Sequence, residues 1–203
     1  YNDKYLLTLT GRYDQDSRFG ADFRSKFFPS IALGWRISQE EFVKDDWISD
    51  LKLRASYGQL GISTVGSWDY IGVINVNPRV VFGADNRTIS VGAYQASLFN
   101  PDLRWETRTS QNIGLDGSFF NNRILLTAEY YYSLSEDVLM RLPIAFYSGN
   151  LGGDPFVNAA SISNRGVEFS ATYRSSENPF KWDVSANFTT IKNRVEDIGN
   201  VGE

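Results

Sequence analysis

The sequence predicts an all-β chain: an antiparallel, up-and-down meander of about seven long strands, of the kind that forms the wall of a large transmembrane β-barrel. Three observations carry this. Apolar and polar residues alternate over long stretches. Aromatic residues make up 15% of the 203 residues, with 11 Tyr, 14 Phe and 5 Trp, while the mean hydropathy stays at -0.31. The connections alternate between tight turns and long, Gly-rich segments. Many aromatics in a chain that is polar on average need strands with one apolar face to hold them.

The first strand runs from about Lys4 to Asp14, with Tyr5, Leu7, Leu9, Gly11 and Tyr13 on one face and Thr8, Thr10, Arg12 and Asp14 on the other. The second, Phe27 to Ser38, places Phe27, Ile31, Leu33, Trp35 and Ile37 against Ser30, Ala32, Gly34, Arg36 and Ser38. A third, Leu51 to Gln59, sets Leu51, Leu53, Ala55 and Tyr57 against Lys52, Arg54, Ser56 and Gly58. The fourth and fifth form a hairpin around Asn121-Asn122. Leu103, Trp105, Ile113, Leu115 and Phe119 share its apolar face with Ile124, Leu126, Ala128, Tyr130 and Tyr132. Val167, Phe169, Ala171 and Tyr173 mark the sixth strand; Trp182, Val184, Ala186 and Phe188 mark the seventh. A period of two gives each strand two different environments.

Asn121-Asn122 and Ser176-Glu177-Asn178-Pro179 read as tight turns, whereas Gln15–Lys26, Gly61–Pro101 and Pro143–Ala160 are long connections. All tight turns then lie at one end of the sheet, the asymmetry of barrels with short periplasmic turns and long extracellular loops. Gln39–Asp50 is the exception, a larger acidic turn with room for a single helical turn around Glu40-Glu41-Phe42.

A soluble β-sandwich alternates in the same way, and two features favour the membrane wall over it. Tyr5, Tyr13, Trp35, Tyr57, Trp105, Tyr173 and Trp182 sit near strand ends on the apolar faces, where membrane interfaces select amphipathic rings. Several strands also exceed ten residues, matching the ~9–11 of a tilted membrane strand rather than the five or six of a globular one. Leu7, Leu9, Ile31, Leu33, Leu53, Leu115, Leu126, Phe169 and Val184 are then expected to face lipid.

Composition excludes some chemistry. A net charge of -4 argues against a nucleic-acid partner, which needs clustered Lys and Arg. With neither Cys nor His, there is no thiolate metal site, cysteine nucleophile or histidine base within these residues. Nothing points to an enzyme or a cofactor. Asp14-Gln15-Asp16 and Gly152-Gly153-Asp154 contain too few carboxylates for a calcium cage and read as turns. Glu40, Glu41, Asp45, Asp46 and Asp50 read as a solvated turn. The loop aromatics Trp68, Tyr70, Tyr94, Phe146 and Tyr147 admit two roles, packing within their loops or contact with a partner or sugar. The opening Tyr1-Asn2-Asp3-Lys4-Tyr5 enters a strand pattern at once, which reads as an internal piece of a longer chain.

Several segments resemble the barrel of SusC/RagA-like TonB-linked outer-membrane importers. They are Ser17-Arg18-Phe19-Gly20, the run Phe28-Pro29-Ser30-Ile31-Ala32-Leu33-Gly34-Trp35-Arg36-Ile37, and Leu51-Lys52-Leu53-Arg54-Ala55-Ser56-Tyr57-Gly58-Gln59. Asn100-Pro101-Asp102-Leu103-Arg104-Trp105-Glu106 and Asn164-Arg165-Gly166-Val167-Glu168 follow in the family's order. The last motif is expected to bring Arg165 and Glu168 together near a strand start, as a lumen-side charge pair or a simple strand-entry motif. One departure is Leu60-Gly61-Ile62, where the family often has Gly-Asn. The resemblance implies a barrel of about 22 strands around a plug, of which residues 1–203 are a wall segment without plug or TonB-contact segment. It also implies a SusD-like surface lipoprotein as partner, TonB–ExbB–ExbD acting through the N-terminal part, and a glycan or peptide as cargo. A passive porin-like wall is the alternative from the same strands.

Overall fold

The computed structural model describes residues 1–203 except 44, 77, 83–87, 96–97, 146, 148–152, 176–178 and 200–203. Seven long strands form one antiparallel sheet. They are β1 (Tyr5–Gln15), β2 (Ser25–Arg36), β3 (Ile48–Ile62), β8 (Glu106–Phe119), β9 (Ile124–Arg141), β10 (Phe156–Ser175) and β11 (Trp182–Asp197), each paired with its neighbour in that order. The connection from β3 to β8 carries two small hairpin sheets of its own. In it, β4 (Ile74–Asn75) pairs with β7 (Tyr94–Gln95), and β5 (Arg79–Phe82) with β6 (Thr88–Val91). The expected long loop therefore folds on itself.

Register explains the sheet. Leu7 lies opposite Leu33 and Leu9 opposite Ile31; Trp35 pairs with Leu53 and Leu33 with Ala55. The row continues through Leu53–Leu115 and Ala55–Ile113, Leu115–Ala128 and Gly117–Leu126, Ala128–Phe169 and Leu126–Ala171, to Phe169–Phe188 and Tyr173–Val184. A slip of one residue anywhere would turn a whole strand inside out. No second sheet packs on this face among the described residues, so the sandwich alternative fails: Leu9 is 69% exposed and Val184 60%.

Strand ends differ from the expectation in informative ways. β9 has 18 residues and β10 has 20, far more than the ~9–11 a membrane crossing needs, so this pair continues beyond the band on the long-loop side. There the ladder shifts register between Asn158 and Ala160 and again between Ala160 and Ile162, and Asp137 takes φ 56°; such bulges bend a strand at a barrel rim. The helical turn lies at Ile37–Gln39, earlier than Glu40–Phe42, so Ile37 leaves the strand. The β8–β9 turn uses Phe120, Asn121 and Asn122, at φ 53°, 57° and 63°, a left-handed path that Asn tolerates far better than Phe. The second expected turn, Ser176 to Pro179, falls largely outside the described residues; β10 and β11 bracket it through the Ser175–Trp182 pair.

The buried hydrophobic cluster sits at the long-loop end rather than in the sheet. It consists of Phe19, Phe28, Val65, Leu103 and Trp105, with Phe19 and Leu103 fully buried. Trp105 lies 5.1 Å from Phe19 and 5.8 Å from Phe28, ring centre to ring centre. Leu103 and Trp105 were expected on the apolar sheet face; β8 starts only at Glu106, and both side chains turn into this cluster instead. Truncating Leu103 to Ala removes a fully buried side chain, a change of about 2–5 kcal/mol in a tight core. The expected result is rapid protease cleavage within residues 64–99 while the wall keeps its heat-resistant migration on gels; an unchanged cleavage rate would contradict this anchoring role.

Candidate functional site: two sheet faces and a loop crown

The outward row described above is bounded by aromatic rings, most of them polar-tipped. At the tight-turn end stand Tyr5, Trp35, Phe119, Tyr173 and Trp182; Trp47 stacks on Phe119 at 5.5 Å, and Tyr173 lies 5.4 Å from Trp182. Toward the loops stand Tyr13, Tyr57, Tyr130 and Tyr132, the Tyr57 hydroxyl accepting from Gln59 Nε2 at 3.1 Å. Between them the expected lipid-facing residues fall on one surface. Leu7, Leu9, Ile31, Leu33, Leu115, Phe169 and Val184 are exposed there, while Leu53 and Leu126 are half-buried by neighbours on the same face.

The opposite face is charged. Arg54 on β3 spans three strands: its Nε donates to Asp116 on β8 at 3.1 Å, and its terminal nitrogen pairs with Glu129 on β9. The guanidinium can lie flat because position 114 is glycine; a Cβ there would stand 2.8 Å from Arg54 Cζ. Arg36 bridges Asp3 at 2.6 Å and Asp50 at 3.3 Å. Alternation put these residues on one face, but their pairing depends on cross-strand register, which a single sequence does not display.

At the tight-turn end Glu40 gathers three donors: Tyr5 Oη at 2.8 Å, Lys4 Nζ at 3.0 Å and Trp35 Nε1 at 3.1 Å. Those hydrogen bonds, Tyr5's foremost, hold its carboxyl down to about 2 from an ordinary 4.5. The acidic turn is thus a clamp on β1 and β2 rather than only a solvated stretch. At the other end Arg18 grips Asp16 with Nε at 3.0 Å and a terminal nitrogen at 2.6 Å. Arg18 also reaches Val65 O at 3.1 Å and Ser63 Oγ at 2.8 Å. Its hydrogen bonds bring Asp16 to about 2 from 3.8. Asp14 pairs with Arg12 at 2.8 Å, so both carboxylates of the Asp14–Asp16 segment are held by arginine.

The crown is tied down by two asparagines. Asn158 on β10 accepts from Arg104 N at 3.0 Å and donates to Arg104 O at 2.8 Å, reading the backbone as a strand partner would; Arg104 also pairs with Asp137 at 2.8 Å. Asn100 Oδ1 caps the turn by accepting from Asp102 N at 3.1 Å. Of the loop aromatics, Tyr70 packs against the buried cluster. Tyr94 lines a hollow of about 450 Å³ with Ile74 and Phe99. Trp68 is 66% exposed and Tyr147 94%. The structure does not gather these side chains into one site, and Phe146 lies outside the described residues.

The Asn164–Glu168 motif needs correction. Arg165 and Glu168 are three apart on a strand and so point to opposite faces. Arg165 shares the outward side with Tyr132 and Lys192, while Glu168 lies opposite Glu129 on the charged face. Parity alone carried this information.

A sheet with one unbroken apolar face ringed by aromatics, a charged opposite face and its two longest connections at one end defines a wall segment of an outer-membrane-type β-barrel. The chain belongs to the family described as "TonB dependent receptor-like, beta-barrel", which it matches over residues 1–203. TonB-dependent receptor P26 of Formosa agariphila is 35% identical over 203 residues, 99% of this chain and 20% of that protein. TonB-dependent receptor SusC of Bacteroides thetaiotaomicron is 35% identical over 201 residues, 95% of this chain and 19% of that protein. The chain thus spans about a fifth of the length of these relatives. The RagAB peptide importer in its "closed-closed" state superposes with a TM-score of 0.83 at 29% identity, covering 97% of this chain and 21% of that one. This family consists of outer-membrane β-barrels; residues 1–203 form an open sheet of such a wall.

The Glu40 clamp has a definite pH signature. Its carboxyl titrates at about 2 when folded against an ordinary 4.5, so the charged form favours folding. That contribution is fully present above ~4.5 and is lost as pH falls toward ~2. Fluorescence of Trp35, taken as the difference between the parent and its Trp35→Phe variant, should hold steady from pH 8 to 5 and change only below that. A midpoint above 5 would overturn the assignment.

Proposed function

We propose that the intact protein imports a nutrient, an oligosaccharide or peptide, across the outer membrane with energy from TonB–ExbB–ExbD. Residues 1–203 supply barrel wall and extracellular loops. The observation that supports this best is the two-faced sheet. Its apolar row has no protein cover among the described residues, which suits lipid, and its Arg54–Asp116–Glu129 network suits a polar lumen. TonB acts, on this reading, through a part of the protein outside these residues. The kinship with SusC and the peptide-importing RagAB supports a surface lipoprotein of the SusD type as partner. Outer-membrane lipid contacts Leu7, Leu9, Ile31, Leu33, Leu53, Leu115, Leu126, Phe169 and Val184.

The loop crown is the part of this chain that meets the lipoprotein or the cargo, because it lies opposite the tight turns and presents Trp68 and Tyr147 outward. Exposed aromatic rings of this kind suit a protein contact.

Two experiments test the reading. Leu33→Arg places a charge near the middle of the apolar row and should cost about 2–4 kcal/mol of barrel stability in a bilayer; an unperturbed unfolding equilibrium would exclude lipid contact at that position. Deleting residues 68–99 from the intact protein should leave barrel assembly in place while weakening lipoprotein co-purification or uptake. Full retention of both would remove the crown from the mechanism.

A further inference from the structure

Arg165 and Lys192 are direct cross-strand partners on β10 and β11, on the outward face. Like charges placed opposite each other on a ladder are destabilising. Neither side chain makes a hydrogen bond or ion pair with any described residue, and both residues are exposed. One step further out, Arg194 lies opposite Ser163. The nearest acid, Glu196, is already engaged, accepting from Ser163 Oγ at 2.6 Å and pairing with Arg194 at 3.3 Å. Tyr132, Ser163, Arg165, Lys192, Arg194 and Glu196 line a hollow of about 50 Å³. Among the described residues, this patch of three cations and one committed carboxylate lacks an anion.

Height identifies which anion. Along the outward face of β10 the residues run Tyr173, Ala171, Phe169, Val167, Arg165, from the tight-turn girdle toward the loops. Eight residues at ~3.4 Å, on a strand tilted by ~40°, rise roughly 21 Å, close to the ~25 Å apolar band of such barrels. Arg165 therefore stands where hydrocarbon gives way to headgroups, beside Tyr132 of the loop-side girdle. Arginine offers a planar fork to a phosphate and lysine a point charge.

We infer that Arg165 and Lys192, supported by Arg194, form a binding site on the outer wall for the phosphate of an outer-leaflet lipid headgroup. The inference rests on the wall reading above and adds a specific lipid contact to it. The site fixes the wall's depth in the membrane and relieves the repulsion between its two cations.

The test uses the intact protein in detergent, with diphosphoryl lipid A, enzymatically dephosphorylated lipid A and inorganic phosphate as probes in native mass spectrometry. Diphosphoryl lipid A should bind and survive as a discrete adduct, and the other two should not. In the double variant Arg165→Gln/Lys192→Gln its affinity should fall about twenty-five-fold, at about fivefold per cation near an anionic surface. Equal affinity for both proteins would overturn the inference, and binding of inorganic phosphate as tight as that of lipid A would reassign the site to a free anion. Lys192→Glu adds a second readout. It places opposite charges across the ladder, so in phosphate-free detergent it should raise the melting temperature while abolishing lipid A binding. A lowered melting temperature would mean that an acidic group outside residues 1–203 already pairs with Lys192, and the inference fails. Either failure leaves the wall reading untouched so long as the protein stays detergent-dependent; solubility without detergent would remove that reading itself.

Discussion

Every feature of this chain depends on a sheet that has no core of its own. The backbone hydrogen bonds of β2, β3, β8, β9 and β10 are shared with strands on both sides, and that ladder gives the segment its order. The two faces are left to their surroundings. In hydrocarbon, no backbone donor or acceptor can go unpaired, so the outer edges of β1 and β11 call for further strands. Closure into a barrel supplies them, and it also gives the two faces different solvents.

Side chains reinforce the ladder at three heights. Near mid-wall, Arg54 reaches across two neighbouring strands. At the tight-turn end, Glu40 ties Lys4, Tyr5 and Trp35 together, fastening the start of β1 against β2. At the loop end, a small aromatic core replaces the missing sheet core, and Arg18 and Asn158 bind distant backbone to it. Four of the five segments that carry the family resemblance place residues in one of these fasteners. Phe19 with Arg18, Phe28 with Trp35, Arg54, and Leu103 with Arg104 and Trp105 all do so.

Alternation made the strands, their faces and the asymmetry of the connections legible in the sequence, because a period of two survives without knowledge of partners. Strand length was less legible. The outer halves of β9 and β10 lose strict alternation at their bulges, so the pattern ends before the ladder does. Leu103 and Trp105 fitted an apolar row by spacing, and only the path of the chain shows that they leave it. Arg165 and Glu168 were the reverse case: their odd spacing already separated them, and a shared motif obscured it. The contacts of Glu40 and Asn158 had no local signal, since each depends on residues brought near by register or by a loop's return.

The clasp of Asn158 on the backbone of Arg104 separates two jobs within one connection. The connection leaves the wall at Val65 and returns to it at Asn100–Trp105 through a single fastened gateway. Apart from Tyr70, which packs on the buried cluster, sequence change inside that span is expected to stay out of the strands as long as the gateway residues persist. The crown is in effect an exchangeable cassette: lineages can diversify it, and engineers can graft another into its place, while the wall goes on assembling unchanged.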